Sequence, residues 1–166
     1  MMTTETYRII PLNSTFDRNS FDCDSEPLTH YFRHFVTQDI KRKLTNCFIL
    51  TNTTHQIIGY YTLSAHSICL SDLPQQMKKK LPRYPTIPSI KMGRLAVNQP
   101  FRGQGFGGVL LIDALKRAAN SEIGAYALFV DAKDDNAVRF YQHYGFISLL
   151  DKTDTLFYPL LNFKTV

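Results

Sequence analysis

The chain reads as one mixed α/β domain covering residues 1–166. Three observations carry that reading. With 166 residues, 44% hydrophobic and 20% charged, the chain has enough material for one substantial core. Short apolar runs of strand length alternate with segments of helical period. A glycine-dense loop, Arg102 to Gly108, stands between a strand-like run ending at Val97 and a helical pattern from about Val109. No internal repeat, low-complexity segment or linker interrupts the chain.

Taken in order, Tyr7–Leu12 reads as a first strand, and Asn13–Pro27 as a polar, acidic loop with a short helix. Leu28–Leu44 carries Leu28, Tyr31, Phe32, Phe35, Val36 and Ile40 on a helical period, with Ser25 or Thr29 as start signal. Asn46–Leu50 and Ile57–Ala65 form a hairpin across the turn residues 51–56, and Ser67–Leu73 extends its second strand. Pro74–Leu81 is a short basic helix. A loop punctuated by Pro82, Pro85 and Pro88 leads to a strand at Ile90–Val97. Val109–Ala119 is a helix that turns Val109, Leu110, Ile112, Ala114 and Leu115 towards the core. Gly124–Val130 is a buried strand. Asp134 or Asp135 caps a helix to Tyr144, and Gly145 suits the left-handed position after it. Phe146–Leu149 and Leu156–Leu161 are closing strands.

The charge is unevenly spread. Residues 1–30 hold two basic and five acidic side chains, residues 31–94 ten and two, and residues 95–166 seven of each. The excess of +5 therefore lies in the middle, chiefly in Lys41, Arg42, Lys43, Lys78, Lys79, Lys80, Arg83, Lys91 and Arg94. This points to a polyanionic partner such as nucleic acid, set against a plain solvated lysine face. No apolar run approaches the ~20 residues of a membrane span, so no membrane association and a cytoplasmic location are expected. Cys23, Cys47 and Cys69 are odd in number and widely spaced, which favours buried free thiols. His30 and His34 share a helix face, but no third ligand accompanies them, so no metal site is expected.

A glycine-rich loop ahead of a helix offers backbone N–H groups and the positive end of the helix dipole to an anion, above all a phosphate. Three readings compete. Gly103 and Gly108 have P-loop spacing, but Val109 and Leu110 stand where Lys and Ser or Thr are needed. Gly103, Gly105 and Gly108 match a dinucleotide fingerprint, with Asp131 at a strand end as the ribose-binding acid. Against a dinucleotide-binding protein, Asn98–Arg102 separate the strand from the first glycine, and only 35 residues follow Asp131. The third reading takes Arg102-Gly-Gln-Gly-Phe-Gly107 as R-x-x-G-x-G.

On that motif the chain resembles the GNAT family of N-acetyltransferases. Arg-Leu-Ala-Val97 looks like the family's bulged strand, and Asp135-Asn-Ala-Val-Arg-Phe-Tyr-Gln-His-Tyr-Gly-Phe146 like its second acetyl-CoA motif. Further stretches, among them Gly59-Tyr-Tyr-Thr-Leu-Ser64, Leu81-Pro-Arg-Tyr-Pro85 and Val130-Asp-Ala-Lys133, resemble the GNAT toxins of bacterial type II toxin–antitoxin pairs. Asp24 departs from that group, in which many members have glycine at this place.

The resemblance implies a GNAT fold, a central mixed, mostly antiparallel sheet flanked by helices in three αβα layers. It implies acetyl-CoA as cosubstrate and no metal. Arg102, Gly103, Gln104, Gly105, Phe106, Gly107 and Gly108 would cradle the pyrophosphate, and Leu95, Ala96 and Val97 would pair with the pantetheine arm and offer an N–H to the thioester carbonyl. Asn136 would hold the pantetheine or position a tyrosine. Tyr141 would protonate the departing sulfur, with Tyr144 as competitor and a core-aromatic role as the plain alternative for both. The acceptor implied is the α-amine of aminoacyl-tRNA, contacted by Lys41, Arg42, Lys43, Lys78, Lys79, Lys80, Arg83 and Arg94. An α-amine, with pKa ~7.7–8, needs little help to lose its proton, which agrees with the lack of an obvious side-chain base. A ribbon-helix-helix antitoxin and a homodimer are the implied protein partners. The competing functions are a housekeeping acetyltransferase for a small amine or protein N-terminus, and an inactive GNAT-like binding module.

Overall fold

The computed structural model describes residues 5–164. The elements run β1 (Tyr7–Pro11), α1 (Glu26–His34), α2 (Val36–Lys41), β2 (Asn46–Asn52), β3 (Ile57–Cys69), α3 (Gln75–Lys78), β4 (Thr86–Val97), α4 (Phe106–Ala119), β5 (Ala127–Asp131), α5 (Asp135–His143), β6 (Ile147–Leu149) and β7 (Lys152–Pro159). The sheet order is β1-β2-β3-β4-β5-β7-β6. β1–β2, β2–β3, β5–β7 and β6–β7 pair antiparallel. β4 and β5 pair in parallel, Ser89–Lys91 against Ala127–Phe129, and β4 itself runs on to Val97. This is the mixed, mostly antiparallel α/β sheet flanked by helices that the sequence predicts. No helix among the described residues is long and apolar enough to cross a membrane.

The chain groups into two compact units, one holding the chain up to Ser64 with Gly93–Ala114, the other Ala65–Met92 with the chain from Leu115 onward. The first unit's core is aromatic. Phe32 stacks on Tyr60 at 4.3 Å and meets Phe21 at 4.8 Å. The Tyr60 hydroxyl donates to the Leu28 carbonyl at 2.8 Å, which satisfies the one polar atom this ring takes inside. Each such ring contributes roughly 1.5–3 kcal/mol by leaving water. The second unit packs Ile68, Leu73, Ile87, Phe129 and Phe157.

Several boundaries differ from the sequence reading, each for a local reason. The expected helix over 28–44 is two helices broken at Phe35 (φ −120°), whose ring is 45% exposed. α2 then closes on Lys43 in the left-handed region (φ 60°), with Leu44 N donating to Asp39 O and Lys43 N to Ile40 O, a Schellman ending without glycine. Ser25 is the α1 cap, accepting from Leu28 N, and Thr29 lies buried inside the helix. No helix forms at 13–25, where Asn13 and Asp17 side chains take the N–H groups of Thr15 and Asn19.

β3 continues to Cys69, and β4 starts four residues early at Thr86. Pro88 fits inside β4 because its carbonyl still accepts from Tyr126 N at 2.8 Å. β5 begins at Ala127 rather than Gly124, and β7 begins at Lys152 after a turn with Asp151 at φ 60°. On α4, Leu110, Leu111, Ala114, Leu115 and Ala118 are buried, whereas Val109 and Ile112 are exposed at 48% and 44%. Cys23 and Cys47 are buried, but Cys69 is exposed. Asp134 caps α5 by accepting from Ala137 N at 2.8 Å, and Gly145 takes φ 95° behind it.

Candidate active site

The residues of the glycine-rich loop lie in the first unit. After Val97 the chain is fastened by Asn98, a buried side chain with three bonds around it. Asn98 N donates to Ile58 O at 2.7 Å, its Nδ2 donates to Ile57 O at 2.9 Å, and its Oδ1 accepts from Asp22 N at 3.1 Å. A 3-10 turn over Gln99–Phe101 follows, with Gln99 N donating to Asp22 O. Thus the spacer that argued against a dinucleotide fold is a built element, anchored to β3 and to the segment before α1.

Gly103 (φ 75°) and Gly105 (φ 84°) both sit in the left-handed region, where a side chain is strained. A Cβ on either would meet nothing within 4 Å, so the need is conformational and the space before them is open. Val109 N donates to Gly105 O at 3.3 Å, so Gly105 stands directly ahead of α4 and its carbonyl accepts the first bond of the helix. The helix therefore begins at Phe106, three residues earlier than the hydrophobic pattern indicates. Gly107 and Gly108 belong to its first turn, and their N–H groups are among the donors that a helix start leaves free. The half-buried Phe106 ring packs edge-on to Tyr7 at 5.1 Å and against Phe101 at 6.2 Å. Gln104 is exposed between the two glycines.

Arg102 is half exposed, and its Nη2 lies 3.2 Å from Asp24 Oδ2. The one departure from the resemblance thus touches the one cation of the motif. A carboxylate there competes with phosphate for the guanidinium and repels the incoming anion. Asp24→Asn is expected to tighten acetyl-CoA two- to fivefold, on the order of 0.5–1 kcal/mol for an exposed pair, with the gain fading at high salt. Isothermal titration at two salt concentrations checks this, and equal or weaker binding by the variant would refute it.

On β4 the buried positions are Ile87 and Ser89, then Met92 and Ala96, so the alternation slips between odd and even numbers. Ala96 is part of the aromatic core, whereas Leu95 and Val97 are half-buried. Gly59 on β3, which the sequence reading left without a role, faces this stretch. A Cβ on it would stand 2.7 Å from the Ala96 carbonyl oxygen and 3.5 Å from Val97 Cα. Its close approach is a tertiary property; the only local sign is a glycine inside an otherwise apolar strand.

The second motif lies in the other unit. Tyr141 on α5 is 7% exposed and packs against Phe140 at 5.2 Å and Phe146 at 5.3 Å. Burial pushes its phenol above the usual tyrosine range, so the proton stays on at neutral pH. Tyr144 is the C-cap of α5 and lies 5.2 Å from Phe140. Asn136 is exposed in the first turn and accepts from Arg139, so helix capping belongs to Asp134 alone.

The model of the acetyltransferase (GNAT) domain matches residues 22–155. The chain belongs to the GNAT acetyltransferase family. A tRNA-acetylating toxin of Mycobacterium tuberculosis is 32% identical over 147 residues, covering 87% of this chain and 86% of that protein. The solved structure of AtaT complexed with acetyl-methionyl-tRNAfMet aligns with a TM-score of 0.87 at 31% identity, over 93% of this chain and 95% of that one. A tyrosine-to-phenylalanine mutant of the AtaT toxin, bound to the C-terminus of the antitoxin AtaR and acetyl-CoA, aligns at 0.78 with 27% identity, over 94% of each chain.

The basic residues of this GNAT chain separate into groups. Lys78, Lys79 and Arg83 line one groove of about 520 Å³ with Leu70, Gln75 and Leu81; Lys80, the fourth of that set, is exposed on the same segment. Lys41 ends α2 and Arg42 and Lys43 follow it, all three exposed. Arg94 is engaged already: its guanidinium lies 3.4 Å from the centre of the Tyr31 ring, whose hydroxyl donates to Asp39 at 2.7 Å. Among the described residues no group of three or more His, Cys, Asp or Glu could hold a metal.

Proposed function

We propose that residues 1–166 form a single GNAT domain that transfers acetyl from acetyl-CoA to the α-amine of aminoacyl-tRNA, and so acts as a toxin that blocks translation. The observation that carries the cosubstrate is the run of two left-handed glycines into the start of α4, beside Arg102. Such a start presents N–H donors and a positive dipole end, which suit a diphosphate. Leu95–Val97 supply strand backbone to the pantetheine arm, and an N–H of this stretch steadies the thioester oxygen as charge develops on it. Asn136 holds the arm or orients Tyr141.

In the reaction the amine nitrogen bonds to the acyl carbon, the carbon–sulfur bond breaks, and the sulfur takes the Tyr141 proton. The amine's proton leaves to water. The likeness to a tRNA-acetylating toxin and to AtaT with acetyl-methionyl-tRNAfMet supports the acceptor. So does the cationic groove of Lys78, Lys79 and Arg83. Lys41, Arg42, Lys43, Lys80 and Arg94 complete the set of tRNA contacts. We further assign a cytoplasmic location, a homodimer, and a neutralising antitoxin of ribbon-helix-helix type; AtaT's binding of AtaR supports the last at the level of an antitoxin.

The deciding assay offers labelled acetyl-CoA to pooled charged tRNAs and to polyamines. Label on the aminoacyl group is expected, and label on polyamines alone would sink the acceptor assignment. Replacing Lys78, Lys79 and Arg83 together by Ala is expected to raise KM for charged tRNA at least tenfold. It should also flatten the salt dependence by about three phosphate contacts, while the acetyl-CoA Kd stays unchanged. An unaltered salt slope would remove the groove from the tRNA path.

A further inference from the structure

The second unit carries a polar cavity that neither GNAT motif uses. It has a volume of about 240 Å³, and His66, Cys69, Phe129, Asp131, Lys152 and Thr155 are among its walls. The imidazole of His66 stacks on Phe129 with 4.2 Å between ring centres and 25° between planes. The buried hydroxyl of Ser89 lies 3.0 Å from His66 Nδ1 and fixes the ring. Burial first, then the Lys91 charge, holds the imidazole below its ordinary pKa, so the ring is neutral at neutral pH. Beside it, Asp131 is oriented from two sides. Lys91 Nζ lies 3.1 Å from its Oδ2, and Thr155 Oγ1 donates to its Oδ1 at 3.4 Å. The carboxylate is still 55% exposed. Lys152, 3.7 Å from Asp72, stands in the same wall.

A pinned flat ring, an oriented open carboxylate and a nearby ammonium match the parts of an unpaired nucleoside with its phosphate. Unpaired bases are held by stacking on aromatic and histidine rings, and ribose hydroxyls by hydrogen bonds to a carboxylate. We propose that this cavity seats the 3′-terminal nucleoside of the acceptor tRNA, with the base against His66, a ribose hydroxyl on Asp131 and the adjoining phosphate near Lys152. The assignment rests on the aminoacyl-tRNA reading above, in which the reacting amine is carried on that ribose. It also fits the chain: β5 ends at Asp131, and α5 with Tyr141 begins at Asp135.

The test has two arms. In the first, the full-length protein is titrated with the trinucleotide CCA and with its deoxyribose counterpart, and the His66 ring resonances are followed by NMR. CCA is expected to shift them and the deoxy form to shift them less. In the second, steady-state acetylation of charged tRNA is measured for wild type, His66→Ala, His66→Phe and Asp131→Asn, each checked by thermal melting. His66→Ala and Asp131→Asn are expected to raise KM for charged tRNA about tenfold, with kcat and the acetyl-CoA Kd within twofold of wild type. His66→Phe keeps a flat ring and should recover most of the loss. Unmoved His66 resonances, or an unchanged KM in the first two variants, overturn the proposal. If CCA shifts His66 but charged tRNA is not acetylated, the nucleoside seat stands and the acceptor assignment fails. Acetylation of charged tRNA with His66 unmoved overturns the seat alone.

Discussion

Tyr141→Phe is expected to lower kcat for acetyl transfer by about a hundredfold or more, with the acetyl-CoA Kd and the melting temperature nearly unchanged. The argument rests on what the substitution keeps. The ring contacts with Phe140 and Phe146 survive, as do the bonds from Tyr144 N and Phe146 N to the Tyr141 carbonyl, which are backbone. Only the hydroxyl is lost. In its buried place that hydroxyl holds its proton through the neutral range, and in the proposed mechanism that proton is the one the departing sulfur takes. Tyr144→Phe serves as the control and should remain close to wild type, because this half-buried ring ends the helix as its C-cap. Stopped-flow release of the CoA thiol reads both variants. Full activity in Tyr141→Phe would end the acid role, and a large loss in Tyr144→Phe would transfer it.

The second large effect is expected at Gly59, away from both motifs. Gly59→Ala places a methyl 2.7 Å from the Ala96 carbonyl oxygen and 2.7 Å from Leu110 Cδ1. The leucine tip can swing aside, but the carbonyl is part of β4. The strand must move, and overpacking of this kind costs about 1–3 kcal/mol. A drop in melting temperature of roughly 3–10 °C should follow in a chain of this size. The moved backbone is the stretch assigned to the pantetheine arm, so acetyl-CoA affinity should fall at least tenfold as well. Gly93→Ala is the contrast, since its Cβ would stand 3.4 Å from Thr62 Oγ1, an ordinary contact, and its stability should change little. A melting point for Gly59→Ala equal to wild type would show that β4 yields freely there.

The features that could be read without a structure are those set by neighbours in the chain. Gly145 ends α5 in the left-handed region and an aspartate at 134 or 135, in the structure Asp134, caps it, because each depends on the backbone of a few adjacent residues. The mixed α/β class follows in the same way from runs of apolar residues and their period. The start of α4 lies three residues ahead of its hydrophobic pattern because glycines disguise a helix as a loop; nothing in Phe106-Gly-Gly108 favours helix until the Gly105 carbonyl accepts from Val109 N. The buried face of α4 followed the packing rather than the count of apolar residues, which left Val109 and Ile112 outside.

By itself, the sequence determined the class of fold, the glycine-rich loop between a strand and a helix, and the concentration of positive charge between residues 31 and 94. Tertiary structure alone decided that Asp24 reaches Arg102 across 78 positions, that Asn98 ties β4 to β3 and to Asp22, and that Gly59 leaves room for the Ala96 carbonyl. It alone gathered His66, Phe129 and Asp131 around one cavity. The physical reason is range. Dihedral preference and capping act over a few bonds and are written locally, whereas close approach and charge pairing depend on which distant segments the sheet order brings side by side.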